Sequence, residues 1–121
     1  MDEAKFITLD NCLTILIYTD RSKNTNHMEL FTFYGGNYSS YIDYNGKKRN
    51  IKEGSAHLLE HYVCENTVSG DLLDNLRKYN VLSCNAGTSA FNTSYFFNTV
   101  CNFYECLDTF LDGIYNVSFT N

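Results

Sequence analysis

Three residues in one short segment have the types and the spacing of a catalytic zinc site. The segment Gly54-Ser-Ala-His-Leu-Leu-Glu-His contains His57, Glu60 and His61. On an α-helix, residues four apart lie one turn from each other on the same face, so both imidazoles can reach a single metal ion. A catalytic zinc commonly takes three protein ligands and a water whose pKa it lowers to about 7. Glu60 lies next to the histidine face, where it can accept the proton of that water.

The order of the three residues narrows the chemistry further. His-x-x-Glu-His is the reverse of the commoner His-Glu-x-x-His and is the signature of inverted zinc peptidases. The alternative is that the two histidines only pack against the helix or form hydrogen bonds there, as helical histidines often do. The motif alone leaves both interpretations open.

The residues on both sides of this segment predict strands that could hold it. Runs rich in β-branched, apolar and aromatic residues predict strands at 13–19, 27–34, 81–89 and 91–101. The first two are separated by a short polar turn, so we expect them to form a hairpin. Residues 37–53 have no sustained period and predict an extended loop.

Three segments have the apolar spacing of helices. The first runs from Gly54 to about Glu65 and carries the motif. The second should begin with Ser69 as its N-cap. The third should begin at Asn102, with Glu105 in the reciprocal capping position. Together these elements predict an α+β fold with a mixed, largely antiparallel sheet and helices packed on one face.

Composition excludes several classes of function. With 121 residues, 44% of them apolar, the chain is suited to one folded domain. Its net charge of -5 and pI near 5.0 argue against nucleic acid as a partner, because phosphate binding needs clustered Lys and Arg. The acidic start and the lack of a long apolar stretch predict neither a secretory signal nor a membrane partner. Five cysteines without a Cys-x-x-Cys pair fit reduced thiols, so we expect a cytoplasmic protein.

Several segments, in the same order along the chain, give it a resemblance to the pitrilysin/insulinase family of zinc metallopeptidases. Asn11-Cys-Leu-Thr-Ile-Leu resembles the opening strand of that family, and Phe31-Thr-Phe-Tyr-Gly-Gly resembles the strand and glycine turn before its active-site helix. Gly54-Ser-Ala-His-Leu-Leu-Glu-His matches the family signature. Asn85-Ala-Gly-Thr-Ser-Ala-Phe-Asn-Thr-Ser-Tyr is similar to the Asn-Ala-x-Thr strand that follows. The resemblance covers nearly the whole chain and implies half of a pitrilysin-like metallopeptidase domain.

The resemblance also implies roles for individual residues. It implies that His57 and His61 bind zinc and that Glu60 is the base that activates water. It implies that Asn85 and Ala86 lie on a sheet edge that receives the substrate as an added β-strand, held by main-chain hydrogen bonds. An ordinary strand start is the competing interpretation of the last two residues.

The chain departs from the family pattern at the third metal ligand. Family members supply it as a glutamate on a later helix, and no residue here matches, so we expect it beyond Asn121. Glu65 is eight residues from His57, about 12 Å along a helix axis, which is too far to share one ion. Glu105 is better explained as a capping residue. We therefore expect residues 1–121 to be the truncated N-terminal portion of a pitrilysin/insulinase-like peptidase domain, inactive when alone.

The function favoured by the sequence is a zinc-dependent endopeptidase that acts on peptides or unfolded polypeptides. Its partners would be a peptide substrate and either the remainder of the peptidase or a second homologous subunit. The alternative is a non-catalytic partner subunit or peptide-binding module of the same fold. The complete His-x-x-Glu-His motif argues against this alternative, since a subunit without catalysis does not need all three groups. A structural zinc site would need four closed ligands, which the cysteine spacing does not offer.

Overall fold

The structure is a computed structural model that describes residues 3–119. Seven strands and three helices follow one another along this part of the chain. The strands are β1 (Glu3–Thr8), β2 (Thr14–Thr19), β3 (Asn26–Thr32), β4 (Ser40–Ile42), β5 (Lys48–Asn50), β6 (Ser83–Thr88) and β7 (Thr93–Thr99). The helices are α1 (Ser55–Glu65), α2 (Leu72–Arg77) and α3 (Phe103–Tyr115). None of the helices formed by residues 3–119 has both the length and the apolar composition that a membrane span needs.

A three-stranded antiparallel sheet with the order β3-β7-β6 is the centre of the fold. On β7 the residues alternate strictly: Thr93, Tyr95, Phe97 and Thr99 are buried, and those between them are partly covered. Alternation follows from the pleat, which directs successive side chains to opposite faces of a sheet. The predicted strand at 91–101 is therefore confirmed as β7.

The three helices cover the buried face of this sheet. Phe97 in the middle of β7 is fully buried, and its ring lies 5.6 Å from that of Phe110 on α3. Leu72 and Leu76 of α2 are also buried in the same cluster. Burying this apolar surface is the main source of stability available to a small domain. The predicted α+β fold, with antiparallel strands and helices on one face, is confirmed.

The predicted hairpin between residues 13–19 and 27–34 is wrong. β2 pairs with β1, through a turn in which Leu9 donates its N–H to the carbonyl of Leu13 at 2.9 Å. β3 instead pairs with β7, which places Met28 beside Phe97 and Leu30 beside Tyr95. The distant pairing buries apolar side chains against the helices, and a pairing of β2 with β3 would not. β1 itself was missed because its residues begin in the acidic start of the chain.

The predicted loop at 37–53 contains a short hairpin of β4 and β5. Its turn is organised by Asp43, whose carboxylate accepts hydrogen bonds from the N–H groups of Asn45 and Lys47 and pairs with Arg49 at 2.8 Å. The guanidinium of Arg49 and the turn N–H groups lower the pKa of Asp43. Asn45-Gly46 is thus a hairpin turn signal rather than a loop marker.

Both predicted helix caps differ from the structure. α2 is capped by Asp71, whose side chain accepts from the N–H of Asp74, and not by Ser69. Asn102 precedes α3 in the left-handed conformation and makes no side-chain cap. Its amide donates to the carbonyl of Tyr79 at 3.4 Å instead, so the predicted capping box with Glu105 is wrong. The helices form because their apolar faces are buried, with less help from their caps than the sequence predicts.

Candidate active site

Helix α1 carries all three residues of the motif, as predicted, and divides them between two environments. Its buried side contains Ala56, Glu60 and Cys64, which recur at the interval of one helical turn. Glu60 is only 7% exposed, whereas His57 and His61 are exposed. The helix therefore holds the candidate base inside the fold and presents the two candidate ligands to solvent.

The two imidazoles converge through their Nε2 atoms. The Nε2 atom of His57 lies 3.1 Å from that of His61, and the ring centroids are 4.7 Å apart. Two nitrogens bound to a tetrahedral zinc at 2.0–2.1 Å would be about 3.3 Å apart. The pair therefore fits two positions of a zinc site with little adjustment. The same distance also suits an N–H···N hydrogen bond between the rings, so the geometry alone admits both interpretations.

The outer nitrogen of His61 faces a carboxylate. Nδ1 of His61 is 3.8 Å from Oε1 of Glu65, and both side chains are more than half exposed. Imidazoles that bind a metal commonly direct their other nitrogen to such a group. Glu65 thus lies on the outer side of the pair, in agreement with its exclusion as a third ligand. Among residues 3–119, no set of three His, Cys, Asp or Glu side chains is arranged to hold a metal ion.

A hydroxyl group on the sheet forms a hydrogen bond with the Glu60 carboxylate. Thr88, at the end of β6, donates its hydroxyl proton to Oε2 of Glu60 at 2.7 Å. Thr93 lies opposite Thr88 in the β6–β7 register, and its hydroxyl donates to the carbonyl of Tyr34 at 2.9 Å. The two hydroxyl oxygens are 3.3 Å apart. The candidate base is therefore connected by neighbouring polar groups to two strands of the sheet.

A glycine allows these strands to approach one another. A Cβ atom on Gly35 would lie 2.5 Å from the backbone nitrogen of Asn92 and 2.6 Å from the carbonyl oxygen of Ser89, so a side chain cannot be accommodated there without backbone movement. The next residue, Gly36, donates its N–H to the same carbonyl at 2.8 Å. The glycine turn after β3 is thus fastened to the β6–β7 turn, which places the Tyr34 carbonyl within reach of Thr93.

The surroundings of Glu60 are poor in water and disfavour further negative charge. Burial, with a contribution from the Glu60 carboxylate, raises the pKa of Cys64 to about 12. Burial likewise raises the pKa of Tyr95 to about 12, with smaller contributions from Cys64 and Glu60. Both groups are neutral at physiological pH. Neither is therefore a competing base or nucleophile beside Glu60.

Strand β6 is an edge of the sheet, which agrees with the predicted position of Asn85 and Ala86. Ser89, just beyond the strand, donates its N–H to the carbonyl of Asn92 on the β7 side. Main-chain groups alternate in direction along an antiparallel strand. Ala86 and Thr88 therefore direct their N–H and C=O groups to the free edge, whereas Asn85 directs its own toward β7 and has an exposed side chain. A substrate role for either residue stays a prediction.

The two flanks of α1, on either side of its buried face, carry different residues. The buried side of α1 packs over β6. On one flank of the helix, Ser55 and Leu59 line a groove together with Tyr34, which follows β3. β3 is the opposite edge of the sheet from β6. His57 and His61 are on the other flank of the helix, because residues advance about 100° each around its axis. The two imidazoles therefore lie on the flank of α1 that faces away from that groove.

Sequence reasoning missed one side chain that contacts the motif, that of Thr88, which donates to Glu60. Thr88 belongs to the Asn-Ala-x-Thr segment, two residues after Ala86, so it shares the face of β6 that packs against α1. The sequence alone shows that Thr88 and Ala86 share one face of the strand. It does not show that Glu60 is the partner of Thr88, because that contact depends on how α1 packs on the sheet.

Comparisons with known proteins support the fold. No protein-family model matches the sequence, and no curated protein sequence matches it. A crystal structure from Alicyclobacillus acidocaldarius, named a "putative M16-like peptidase", superposes with a TM-score of 0.87 at 22% sequence identity. The match covers 98% of this chain and 27% of that chain, so the present chain spans about a quarter of its length. The chain has the fold of a portion of an M16-like peptidase, as the resemblance implied.

Proposed function

We propose that this chain supplies two zinc ligands and the general base of a zinc-dependent endopeptidase that cuts peptides or unfolded polypeptides. His57 and His61 are the ligands, and Glu60 is the base. The similarity to the fold of a protein named an M16-like peptidase supports the reaction class.

The observation that carries the proposal is the convergence of the two Nε2 atoms on one face of α1. Their separation of 3.1 Å suits adjacent ligands of one zinc ion. Strand β6, which packs against the same helix, has main-chain groups at Ala86 that no strand among residues 3–119 pairs, and these would pair with an extended peptide as another strand does. A peptide held in this way would pass the ligands with its carbonyl groups in regular array. Asn85 would contribute through its exposed side chain.

The metal ligands, the base and the strand edge have separate roles in the proposed reaction. A zinc ion bound at His57 and His61 would supply Lewis-acid polarisation of the peptide carbonyl and of the attacking water. Glu60 takes a proton from that water and delivers it to the leaving amine nitrogen. The edge of β6 orients the peptide, and the buried side of α1 excludes competing water from the base. Holding the reacting groups in the right geometry converts a bimolecular step into an effectively unimolecular one.

A complete site requires a third ligand, which we propose comes from beyond Asn121 or from a second homologous subunit. Support comes from the comparison, in which the chain corresponds to 27% of the neighbouring structure. The proposal places the protein in the cytoplasm, with a peptide as its substrate. A chain with two ligands should bind zinc weakly and hydrolyse little by itself.

The test compares zinc binding and turnover in the full-length protein that contains this chain, with and without Glu60→Gln. The variant should keep stoichiometric zinc, because both imidazoles are unchanged. Its turnover of an unfolded polypeptide should fall by about 100- to 10,000-fold, the usual contribution of a general base. Turnover equal to that of the unaltered protein would refute Glu60 as the base. Absence of zinc and of turnover from the unaltered protein would favour the non-catalytic peptide-binding module.

A further inference from the structure

The hydroxyl protons around Glu60 can be assigned one by one. A threonine hydroxyl has one proton to donate, and an ionised carboxylate only accepts. In the 2.7 Å contact the donor is therefore Thr88 and the acceptor is Oε2 of Glu60. The proton of Thr93 is committed to the carbonyl of Tyr34, which can only accept. The two hydroxyl oxygens lie 3.3 Å apart, and neither has a second proton to donate to the other.

This assignment makes the hydrogen bond to Glu60 both specific and rigid. Thr88 ends β6 and is paired in register with Thr93, so its backbone position is fixed by the sheet. Its β-branched side chain has few rotamers available. Glu60 is buried, and no other side-chain hydrogen bond to its carboxylate is found in the part of the chain that the structure describes. A charge-assisted hydrogen bond of this length is also among the stronger kinds.

We propose that Thr88 is a positioning residue that holds one carboxylate oxygen of Glu60 so that the other faces the reacting water. The inference rests on the function proposed above. The terminal torsion of a glutamate is broad and roughly two-fold, so a carboxylate without a fixed partner samples many orientations. With Oε2 engaged by Thr88, Oε1 keeps its lone pairs for the proton of the water. The hydroxyl of Thr88 contacts the Glu60 carboxylate and neither imidazole, so its side chain acts only through Glu60.

The experiment uses the full-length protein that contains this chain and three variants of buried or half-buried threonines. Thr88→Val keeps the branched shape and removes the donor, and Thr88→Ser restores the donor. Thr99→Val is the matched control, since Thr99 is fully buried at the far end of β7 and donates to the Cys101 carbonyl rather than to Glu60. The measurements are kcat, KM and the zinc dissociation constant of each protein.

Thr88→Val should lower kcat by about 10- to 100-fold, the usual cost of losing a partner that orients an active-site group. Its KM and its zinc affinity should not change, because the strand edge and the imidazoles are intact. Thr88→Ser should recover most of the kcat, and Thr99→Val should keep it. A loss of packing alone would affect Thr88→Ser, which lacks the methyl group, as much as Thr88→Val.

A second measurement does not depend on activity. In the metal-free protein, the hydroxyl proton of Thr88 should exchange slowly with water by NMR, and Glu60→Ala should speed this exchange. An unaltered protein that hydrolyses peptides while Thr88→Val retains its kcat would overturn the inference and leave the proposed function intact. Rapid hydroxyl exchange in the unaltered protein would overturn it as well. An unaltered protein without zinc or turnover would instead reject the proposed function, and the positioning role with it.

Discussion

The side chains on the buried side of helix α1 are held by contacts with the sheet, and those on its exposed side are not. On the buried side, Glu60 is 7% exposed and accepts a 2.7 Å hydrogen bond from Thr88. On the exposed side, His57 and His61 lie 3.1 Å from each other, and His61 lies 3.8 Å from an exposed Glu65. In this eleven-residue helix, the side chain of Glu60 is thus fixed by the sheet, whereas the histidines contact side chains of the same helix.

This difference separates two tasks that a hydrolytic site must perform. The base requires orientation, which a packed sheet provides before any ligand arrives. The metal ligands require a partner that completes their geometry, and binding that partner contributes the energy that orders them. We expect changes on the buried side to alter stability or kcat, and changes on the exposed side to alter metal affinity without altering the stability of the metal-free protein.

Replacing one imidazole is the strongest test of this separation. His57→Ala should lower the zinc affinity of the full-length protein by at least about 100-fold, more than an outer partner usually contributes. Because His57 is exposed, the free energy of unfolding of the metal-free protein should change by no more than about 0.5 kcal/mol. Zinc competition titrations and chemical unfolding measure the two quantities on the same samples.

His27→Ala is the matched control for this prediction. His27 is the remaining histidine of the chain and lies on β3, where its Nδ1 is 2.9 Å from the side-chain oxygen of Asn98. Its removal should leave zinc affinity unchanged. A loss of zinc affinity shared by both variants would show that the exposed side of α1 is not a separate site.

High pH should act on the buried side instead. The pKa of Cys64 is raised from 9.0 to about 12, and that of Tyr95 from 10.0 to about 12, in both cases chiefly by burial. A folded-state pKa above the unfolded value means that this stability is fully present below about pH 9 and is lost as the pH rises toward 12. The loss is about 1.4 kcal/mol for each pH unit and each group.

Cys64→Ala should make this alkaline loss of stability shallower, whatever it does to the stability at neutral pH. The measurement is the free energy of unfolding from pH 8 to 11 for the metal-free protein and the variant. Parallel curves for the two proteins would show that the region around Glu60 admits water freely. In that case the contrast between the two sides of α1 would be much smaller than their exposures indicate.

The sequence predicts the local features of this site and misses those created by strand pairing. The bounds of α1 and the shared face of its histidines follow from a helical period within twelve residues, and both are confirmed. The contact of Thr88 with Glu60 joins residues 28 positions apart and depends on how the sheet is registered. No periodic pattern encodes that register.

The wrong hairpin has the same origin. Strands close in sequence often pair, which favoured 13–19 with 27–34. The buried face of β7 offers Tyr95 and Phe97 to β3, and this apolar pairing outweighs the shorter connection. Propensity and proximity identify the strands, but the competition among partners decides which of them meet. Ala86 lies on an edge strand, as the family resemblance implied. The residue pattern alone did not predict this position.

The smallest expected effect belongs to Glu65, and its size decides how the exposed side should be understood. A polar contact between two exposed side chains contributes little, because solvent competes with it. Glu65→Gln should therefore weaken zinc binding to the full-length protein by no more than about threefold, a ratio worth less than about 1 kcal/mol. Competition titrations beside Glu105→Gln, an acidic residue at the start of α3, provide the comparison. A loss of about 10-fold or more would mean that Glu65 orients His61 as an outer partner does. The exposed side of α1 would then be organised by the chain itself, and its contrast with the buried side would be one of degree.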